Sequence, residues 1–490
     1  MDKKEKIRAS STWGEAALHV FAQEIRRILK HEAGTRLGED SEELHQMRVG
    51  TRRLRSALRL FEPAMKLPKH ARRKAIGDLA QILGTVRDLD VQIEMLQGYA
   101  TKSLPEKEEV ALTNYIAHLS ETRDQQRAIM TAYLDSEDYR QFRSASEAYI
   151  ESPRFRRSGE ESLYGLLPAL LKEQFETLWA HPGWGEPDSE TLHALRIAVK
   201  RVRYFLEFFL DCYGKGMRSF YQELKRLQED LGIIHDCDVL TGVLQQTGKP
   251  FPRLNARIRQ ERRNALRRFR RLREKLTNQK SRSAVGAWAG WPGTQEDTAL
   301  FAYNRKPLGA LELEHKYRLA NWPEIETKLK ALHFRVGEPI LQTDHYLEVL
   351  SANTYLRLRR EVVGHQVRYL LCHKDQGPEG TRHAIEEPIS AFAYEALLAR
   401  SSSAPTLHKQ HQCWGGFFEQ VPFMVSVDRI EGIGEQSGEY LELEIMVPDP
   451  TLLSTAQTSL ERFSTHLGLT ARAEQSNVAM LLQWMAHAEA

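Results

Sequence analysis

The 490-residue sequence predicts two units of different class: an all-α first unit built as a two-repeat helical bundle, and a mainly antiparallel β second unit with a few helices. Three observations carry this expectation. Before residue 286, long segments place apolar side chains at three- and four-residue spacing, whereas later short runs of Val, Ile, Tyr and Leu alternate with charged residues. Charge divides at the same place: residues 1–300 hold 51 Lys+Arg against 42 Asp+Glu, and residues 301–490 hold 18 against 24. The helical unit also repeats itself without gaps at an offset of 148 residues.

Taken in order, the helical spacing predicts helices at 14–32, 42–62, 70–98, 106–134, 163–180, 190–213, 217–232 and 253–278. They fall in a unit at 12–285, with repeats at about 12–150 and 160–280. Gly and Pro then cluster from Gly286 to Gly293 with little periodicity, which reads as a linker at 286–308. Alternating runs at 310–319, 355–360, 367–372, 424–428 and 440–447 predict strands of a second unit at 309–490. An apolar fraction of 41% excludes dominant disorder. No stretch approaches the roughly 18 apolar residues of a membrane span, and Met1-Asp2-Lys3-Lys4 leads into no apolar signal segment. The expectation is a soluble, cytoplasmic protein without a membrane partner. Cys212, Cys237, Cys372 and Cys413 lie far apart with no C-x-x-C, so they read as reduced structural thiols.

In the repeat, Ser41/Ser189, Leu44/Leu192, His45/His193, Arg48/Arg196, Arg53/Arg201, Arg55/Arg203 and Phe61/Phe209 correspond. The same offset pairs Asp88-x-Asp90 with Asp236-x-Asp238. At about 100° per residue, Arg48, Arg52, Arg55 and Arg59 share one arc beside His45, while Leu44, Met47, Leu54, Leu58 and Phe61 fill the next. His193, Arg196, Lys200 and Arg203 reproduce the pattern. Such a stripe is either an ordinary solvated face or a site for an extended polyanion. Its recurrence favours the polyanion, because like charges on one stripe repel and guanidinium forks suit phosphate oxygens. Nucleic acid is the less favoured polyanion, since few aromatic residues interrupt the basic positions to stack bases. The two D-x-D pairs read as caps or Arg partners following a helix, with metal ligation as the rival. Arg253–Lys275 carries 11 Lys+Arg in 23 residues, either as a solvated helix or as more anion-binding surface.

The string from Leu44 to Phe61, followed by Leu83-Gly84-Thr85-Val86-Arg87-Asp88-Leu89-Asp90-Val91, resembles the signature of CHAD domains over roughly 12–280. The resemblance implies a helical domain that binds inorganic polyphosphate through His45, Arg48, Arg52, Arg53 and Arg55, and through His193, Arg196, Lys200, Arg201 and Arg203. It also implies an association with polyphosphate granules. His235 stands where the first repeat has Arg87, so the halves need not bind equally.

In the second unit, a period of two sends Glu312, Glu314, Lys316 and Arg318 to one side and Leu311, Leu313, Tyr317 and Leu319 to the other. Arg357 and Arg359 oppose Leu356 and Leu358, and Glu442 and Glu444 oppose Leu441, Leu443 and Ile445. Either this is a sheet with one face in water, or a closed barrel with charged faces inward. Glu312-x-Glu314-x-Lys316, Gln342-x-Asp344-x-Tyr346, Arg357, Arg359, Lys374, Arg382, Asp428-Arg429 and Glu442-x-Glu444 follow the order and spacing of CYTH domains, and the resemblance covers about 309–485.

That resemblance implies an eight-stranded antiparallel β tunnel that hydrolyses inorganic triphosphate with Mg²⁺ or Mn²⁺. Glu312, Glu314, Asp428, Glu442 and Glu444 would hold the metal, and Lys316, Arg318, Arg357, Arg359, Lys374 and Arg382 would grip the phosphates. Glu312, Glu314, Lys316, Glu442 and Glu444 would form the catalytic set. The sequence departs from the family at Ala384 and at Lys409-Gln410-His411, where a later K-x-R is usual. The rivals are a thiamine triphosphatase, an ATP-cyclising enzyme, and a polyphosphate-binding scaffold without turnover. No Walker-type loop, dinucleotide fingerprint or nucleophile elbow is present.

Overall fold

The computed structural model describes residues 6–100, 104–185, 188–292, 311–377, 381–401, 403–473 and 475–488. The first half is helical: α1 Trp13–Lys30, α2 Glu32–Leu37, α3 Ser41–Phe61, α4 Arg73–Ala100, α5 Glu106–Leu134 and α6 Glu137–Glu151 precede α7 Leu163–Trp179, α8 Ser189–Phe209, α9 Lys215–Gln246, α10 Pro252–Thr277 and α11 Gln279–Gly290. The duplicated helices α3 and α8 start alike, because Asp40 and Asp188, again 148 apart, accept from the first free backbone N–H groups. Their apolar arcs bury as expected, with Leu44, Met47, Leu54, Leu58 and Phe61 matched by Leu192, Leu195, Leu206 and Phe209. The mates Phe61 and Phe209 meet edge-on at 5.8 Å under the Trp13 indole, so one aromatic cluster joins the two repeats.

Several elements differ from the sequence expectation. Helix α6 was not anticipated, and α9 runs on to Gln246 rather than ending near 232. Both D-x-D pairs lie within helices: Asp88-x-Asp90 in α4, inside the span expected at 70–98, and Asp236-x-Asp238 in the extension of α9. Asp88 receives Arg48 at 2.8 Å and Asp90 receives Arg123 at 2.8 Å, while Asp238 receives Arg262 at 2.6 Å. Residues 286–290, expected in a linker, complete α11; positions 293–308 of that linker lie outside the described residues.

The second half holds β1 Leu311–Arg318, β2 Arg335–Val336, β3 Ile340–Ser351, β4 Thr354–Val363, β5 Gln366–Gln376, β6 Arg382–Pro388, β7 Thr406–Phe418, β8 Val421–Ile430 and β9 Gly438–Val447. Neighbours follow the order β7-β3-β4-β5-β6-β1-β9-β8, and β8 pairs back onto β7. Eight antiparallel strands thus close into a barrel, with β2 a two-residue addition along β7. Closure overturns the open-sheet alternative: with no edge left, one face of every strand points into a lumen. Outside, α12 Trp322–Ala331 and α14 Leu453–Leu467 cover the apolar face that includes Leu441, Leu443 and Ile445. Helix α13 is Ala391–Ala399, and α15, Asn477–Ala488, packs Val478 and Leu481 against Tyr346, Tyr355 and Tyr440 at one end of the barrel.

The halves touch. Met424 and Met446 of the barrel join the apolar cluster of the helical half, and Tyr164 Oη donates to the Met446 carbonyl at 2.6 Å. Trp291, just beyond α11, is buried in the cluster of the barrel half. Among the described residues, no helix is long and apolar enough to cross a membrane.

Candidate functional site

The tunnel cavity is lined by Glu312 and Glu314 of β1, Arg357 and Arg359 of β4, Lys374 of β5, Arg382 and Glu386 of β6, Lys409 and His411 of β7, and Glu442 and Glu444 of β9. Strand register explains the company they keep. β1 sets Glu314 opposite Glu444 and Lys316 opposite Glu442, and β6 sets Arg382 opposite Glu312. Period-two alternation then brings these charges into one space, although they are separated by up to 132 residues of chain.

Each inward cation has a carboxylate partner. Lys374 Nζ lies 2.9 Å from Glu312 and 3.5 Å from Glu314, and Arg382 also donates to Glu314. Asp344, fully buried, receives Arg359 at 2.6 and 2.8 Å and Arg357 at 3.1 Å. Lys409 and His411 take the two oxygens of Asp428, and Lys316 donates to Asn477 while lying over the Tyr440 ring. Asp428 therefore stands as the anchor of two bases. Arg318 leaves the tunnel: it is exposed and donates at 3.3 Å to the carbonyls of Glu435 and Ser437.

The carboxylates are electrostatically unequal. Burial pushes the Glu314 carboxyl up, with Glu442 and Glu312 adding to the rise against Lys374 and Arg382. Glu442 moves the other way: burial and Asp428 oppose its ionisation, but Lys316, Lys409 and Lys374 outweigh them. Burial also pushes the Lys316 ammonium down, against the pull of Glu442 and Asp428. His411, although buried, keeps a pKa raised to about 10 by Cys413 and Asp428.

Among the described residues, no three His, Cys, Asp or Glu side chains are gathered as a ready metal cage. The donor chemistry nonetheless fits a hard divalent cation, because four inward glutamates supply oxygen ligands, and burial, with Glu442 and Glu312 beside it, already disfavours the ionised form of Glu314. Glu312, Glu314, Glu442 and Glu444 are the residues that would hold it. Sequence reasoning missed Cys413, Ser426, Ser476 and Asn477 on the tunnel wall. Asn477 carried no sequence signal, since only the packing of α15 brings it to Lys316, 161 residues away.

In the helical half, α3 and α8 face each other across a groove lined by Arg52, Arg55, Arg59, Lys200, Arg201, Tyr204 and Phe208. Arg52 lies 5.6 Å from the Tyr204 ring. Burial lowers the Lys200 ammonium to about 7, with Arg52, Arg196 and Arg48 adding to the shift. Two expected carriers turn inward instead. Arg53 bridges Glu24 and Glu207, and Arg203 binds Gln228, Glu207 and the Tyr221 hydroxyl. His45 is partly buried, and His193 pairs with His235 at 3.0 Å between Nδ1 atoms. Arg48 is held by Asp88, and Arg196 lies beside Gly232. The basic helix α10 spends Arg262 and Arg268 on Asp238 and Asp230.

A closed eight-stranded tunnel with inward acids and bases, attached to a duplicated basic helical bundle, defines the class of protein. The chain carries a CHAD domain, matched at residues 19–245, and a CYTH domain, matched at residues 310–474. No curated protein matches it. Among solved structures, the CHAD domain from the plant Ricinus communis is 25% identical, covering 58% of this chain and 94% of its own, with a TM-score of 0.41. A Pyrococcus horikoshii protein is 23% identical over 35% of this chain and 98% of its own, with a TM-score of 0.30. A Hippeastrum protein described as having a dominant triphosphatase activity is 18% identical over 35% of this chain and 95% of its own, with a TM-score of 0.26.

Proposed function

We propose that the chain hydrolyses inorganic triphosphate in its tunnel with Mg²⁺ or Mn²⁺, and that its helical half binds inorganic polyphosphate. The observation that carries the reading is that Glu312, Glu314, Glu442 and Glu444 share one cavity with Lys374, Arg382, Arg357, Arg359 and Lys409. Neither set is stable buried alone, and a cation with a phosphate chain would satisfy both. Bound there, a divalent cation would polarise phosphate oxygens and lower the pKa of water.

The protein's own groups supply the rest. Lys374 and Arg382, now paired with Glu312 and Glu314, become phosphate ligands when those glutamates turn to the cation. Asp344 holds Arg357 and Arg359 ready, so their charge meets the leaving phosphate without rearrangement. Lys316, fixed by Asn477 and Tyr440, offers a further cation beside Glu442. In the helical half, the groove between α3 and α8 presents Arg52, Arg55, Arg59, Lys200 and Arg201 to the polymer.

Phosphate release from inorganic triphosphate, thiamine triphosphate, ATP and long polyphosphate, with and without Mg²⁺ or Mn²⁺, tests the reading. Metal-dependent release, fastest from triphosphate, is expected. Cyclic AMP formation from ATP, or release unaffected by Glu312→Gln plus Glu314→Gln, would overturn it.

A further inference from the structure

The thiol of Cys413 on the tunnel wall has no part in the proposed hydrolysis. Cys413 Sγ lies 2.9 Å from His411 Nε2, and the other ring nitrogen, Nδ1, meets Asp428 Oδ1 at 2.5 Å. Ser426 Oγ stands 3.3 Å from the same sulfur. The arrangement follows from register, since β7 and β8 place His411 opposite Asp428 and Cys413 opposite Ser426; His411, Cys413 and Ser426 line the cavity, and Asp428 is buried behind them. Thiol, imidazole and carboxylate thus form a continuous relay. The carboxylate fixes the ring so that one nitrogen faces the sulfur, which is how a nucleophilic thiol is activated. Lys409 pins Asp428 from the far side. Cys413 and His411 both line the cavity, so the sulfur is reached through the tunnel although the residue is only 3% exposed.

The remaining cysteines contrast with it. Burial pushes the Cys237 and Cys372 thiols up to about 12 and about 11, which keeps them protonated and inert at neutral pH. Cys212 is sealed in the helical core, near the Ile7 carbonyl.

We propose that Cys413 is a reactive thiol, activated by His411 and Asp428, that takes hydroperoxides and other thiol-directed electrophiles arriving through the tunnel. With hydrogen peroxide, the sulfur attacks one peroxide oxygen; an S–O bond forms as the O–O bond breaks. His411, protonated at pH 7, gives its Nε2 proton to the departing hydroxide, which leaves as water, and takes the thiol proton in its place. Cys413 is oxidised by two electrons to a sulfenic acid and the peroxide is reduced. The new oxygen occupies the cavity beside Lys409, where it obstructs an incoming anion. The modification itself is independent of the hydrolytic reading; only its consequence for turnover rests on that reading.

The test uses the full-length protein at pH 7. One sample takes hydrogen peroxide followed by a sulfenic-acid-specific dione probe, another takes iodoacetamide, and peptides are mapped by mass spectrometry over time. Cys413 is expected to react at least about tenfold faster than Cys237 and Cys372. His411→Asn, checked for an unchanged unfolding transition, is expected to slow Cys413 about tenfold and leave the others alone. A Cys413 rate no greater than that of Cys372 in the unmodified sequence overturns the proposal without recourse to any variant. An unchanged Cys413 rate in folded His411→Asn removes the relay and overturns it too.

Discussion

The helical groove and the tunnel both gather basic side chains, but under opposite electrostatic rules. In the groove, the lining residues among those described include no carboxylate, and burial with neighbouring arginines drives Lys200 toward its neutral form. In the tunnel, Lys374, Arg382, Arg357, Arg359 and Lys409 each already hold an acid. An unbalanced surface binds a polyanion by relieving repulsion, which is strong at low salt and indifferent to the exact ligand. A neutralised interior binds only what replaces its internal partners in kind. The contrast teaches that, under the proposed function, one half would capture and the other would select.

The most severe way to break the comparison is to unbalance the tunnel. Asp344→Ala strands two buried guanidinium groups, and a loss of roughly 3–5 kcal/mol is expected in the unfolding of the barrel half, measured by denaturant titration of the full chain. Glu312→Gln with Glu314→Gln should lower metal-dependent phosphate release about a hundredfold while polyphosphate binding stays as it was. Loss of both together would show that the halves do not act separately.

Lys200 gives the next effect. With its free-state pKa at about 7, binding a polyanion must draw a proton onto it, so affinity falls as pH rises above 7. Calorimetry with long polyphosphate should show about a tenfold loss between pH 7 and pH 8.5, absent in Lys200→Met. The sign for stability is reversed: the unfolded chain still binds the proton up to its ordinary pKa of 10.5, so this residue makes the fold more stable as pH rises through that window. The smallest effect is Arg55→Ala, which should weaken polyphosphate binding a few-fold and reduce the slope of log affinity against log salt by about 0.7–0.9, as for other linear phosphate polymers.

Much of this was legible in the sequence where the signal is local and repeated. The duplicated stripe and its apolar partner arc needed only helical periodicity, and the shared face of the β1 glutamates and of the β9 glutamates needed only alternation. The failures have physical causes. Helix α6 buries Tyr139, Phe142, Ser146 and Tyr149, a sparse face with a hydroxyl in it, so its spacing is weak. Strand β7 runs unbroken through Gly415-Gly416, which carry no side-chain alternation; Gly416 is there because a Cβ would stand 2.4 Å from the Phe334 ring. Arg53 and Arg203 sit in a basic motif, but Glu24, which claims Arg53, lies on another helix, and Glu207, one turn from Arg203 on the same face, also reaches Arg53 across the repeat. Strand closure is a long-range event, and no residue announces it.

Trp291 sharpens what counts as a unit in this chain. Its indole is 5% exposed and packs with the barrel's apolar cluster, yet it precedes the start of the CYTH match at 310. A fragment cut at the family boundary would carry an empty aromatic socket, a defect on the order of 3–5 kcal/mol. Family match and packing therefore part company here: the segment that the CYTH match spans is shorter than the segment whose side chains fill this barrel's apolar cluster.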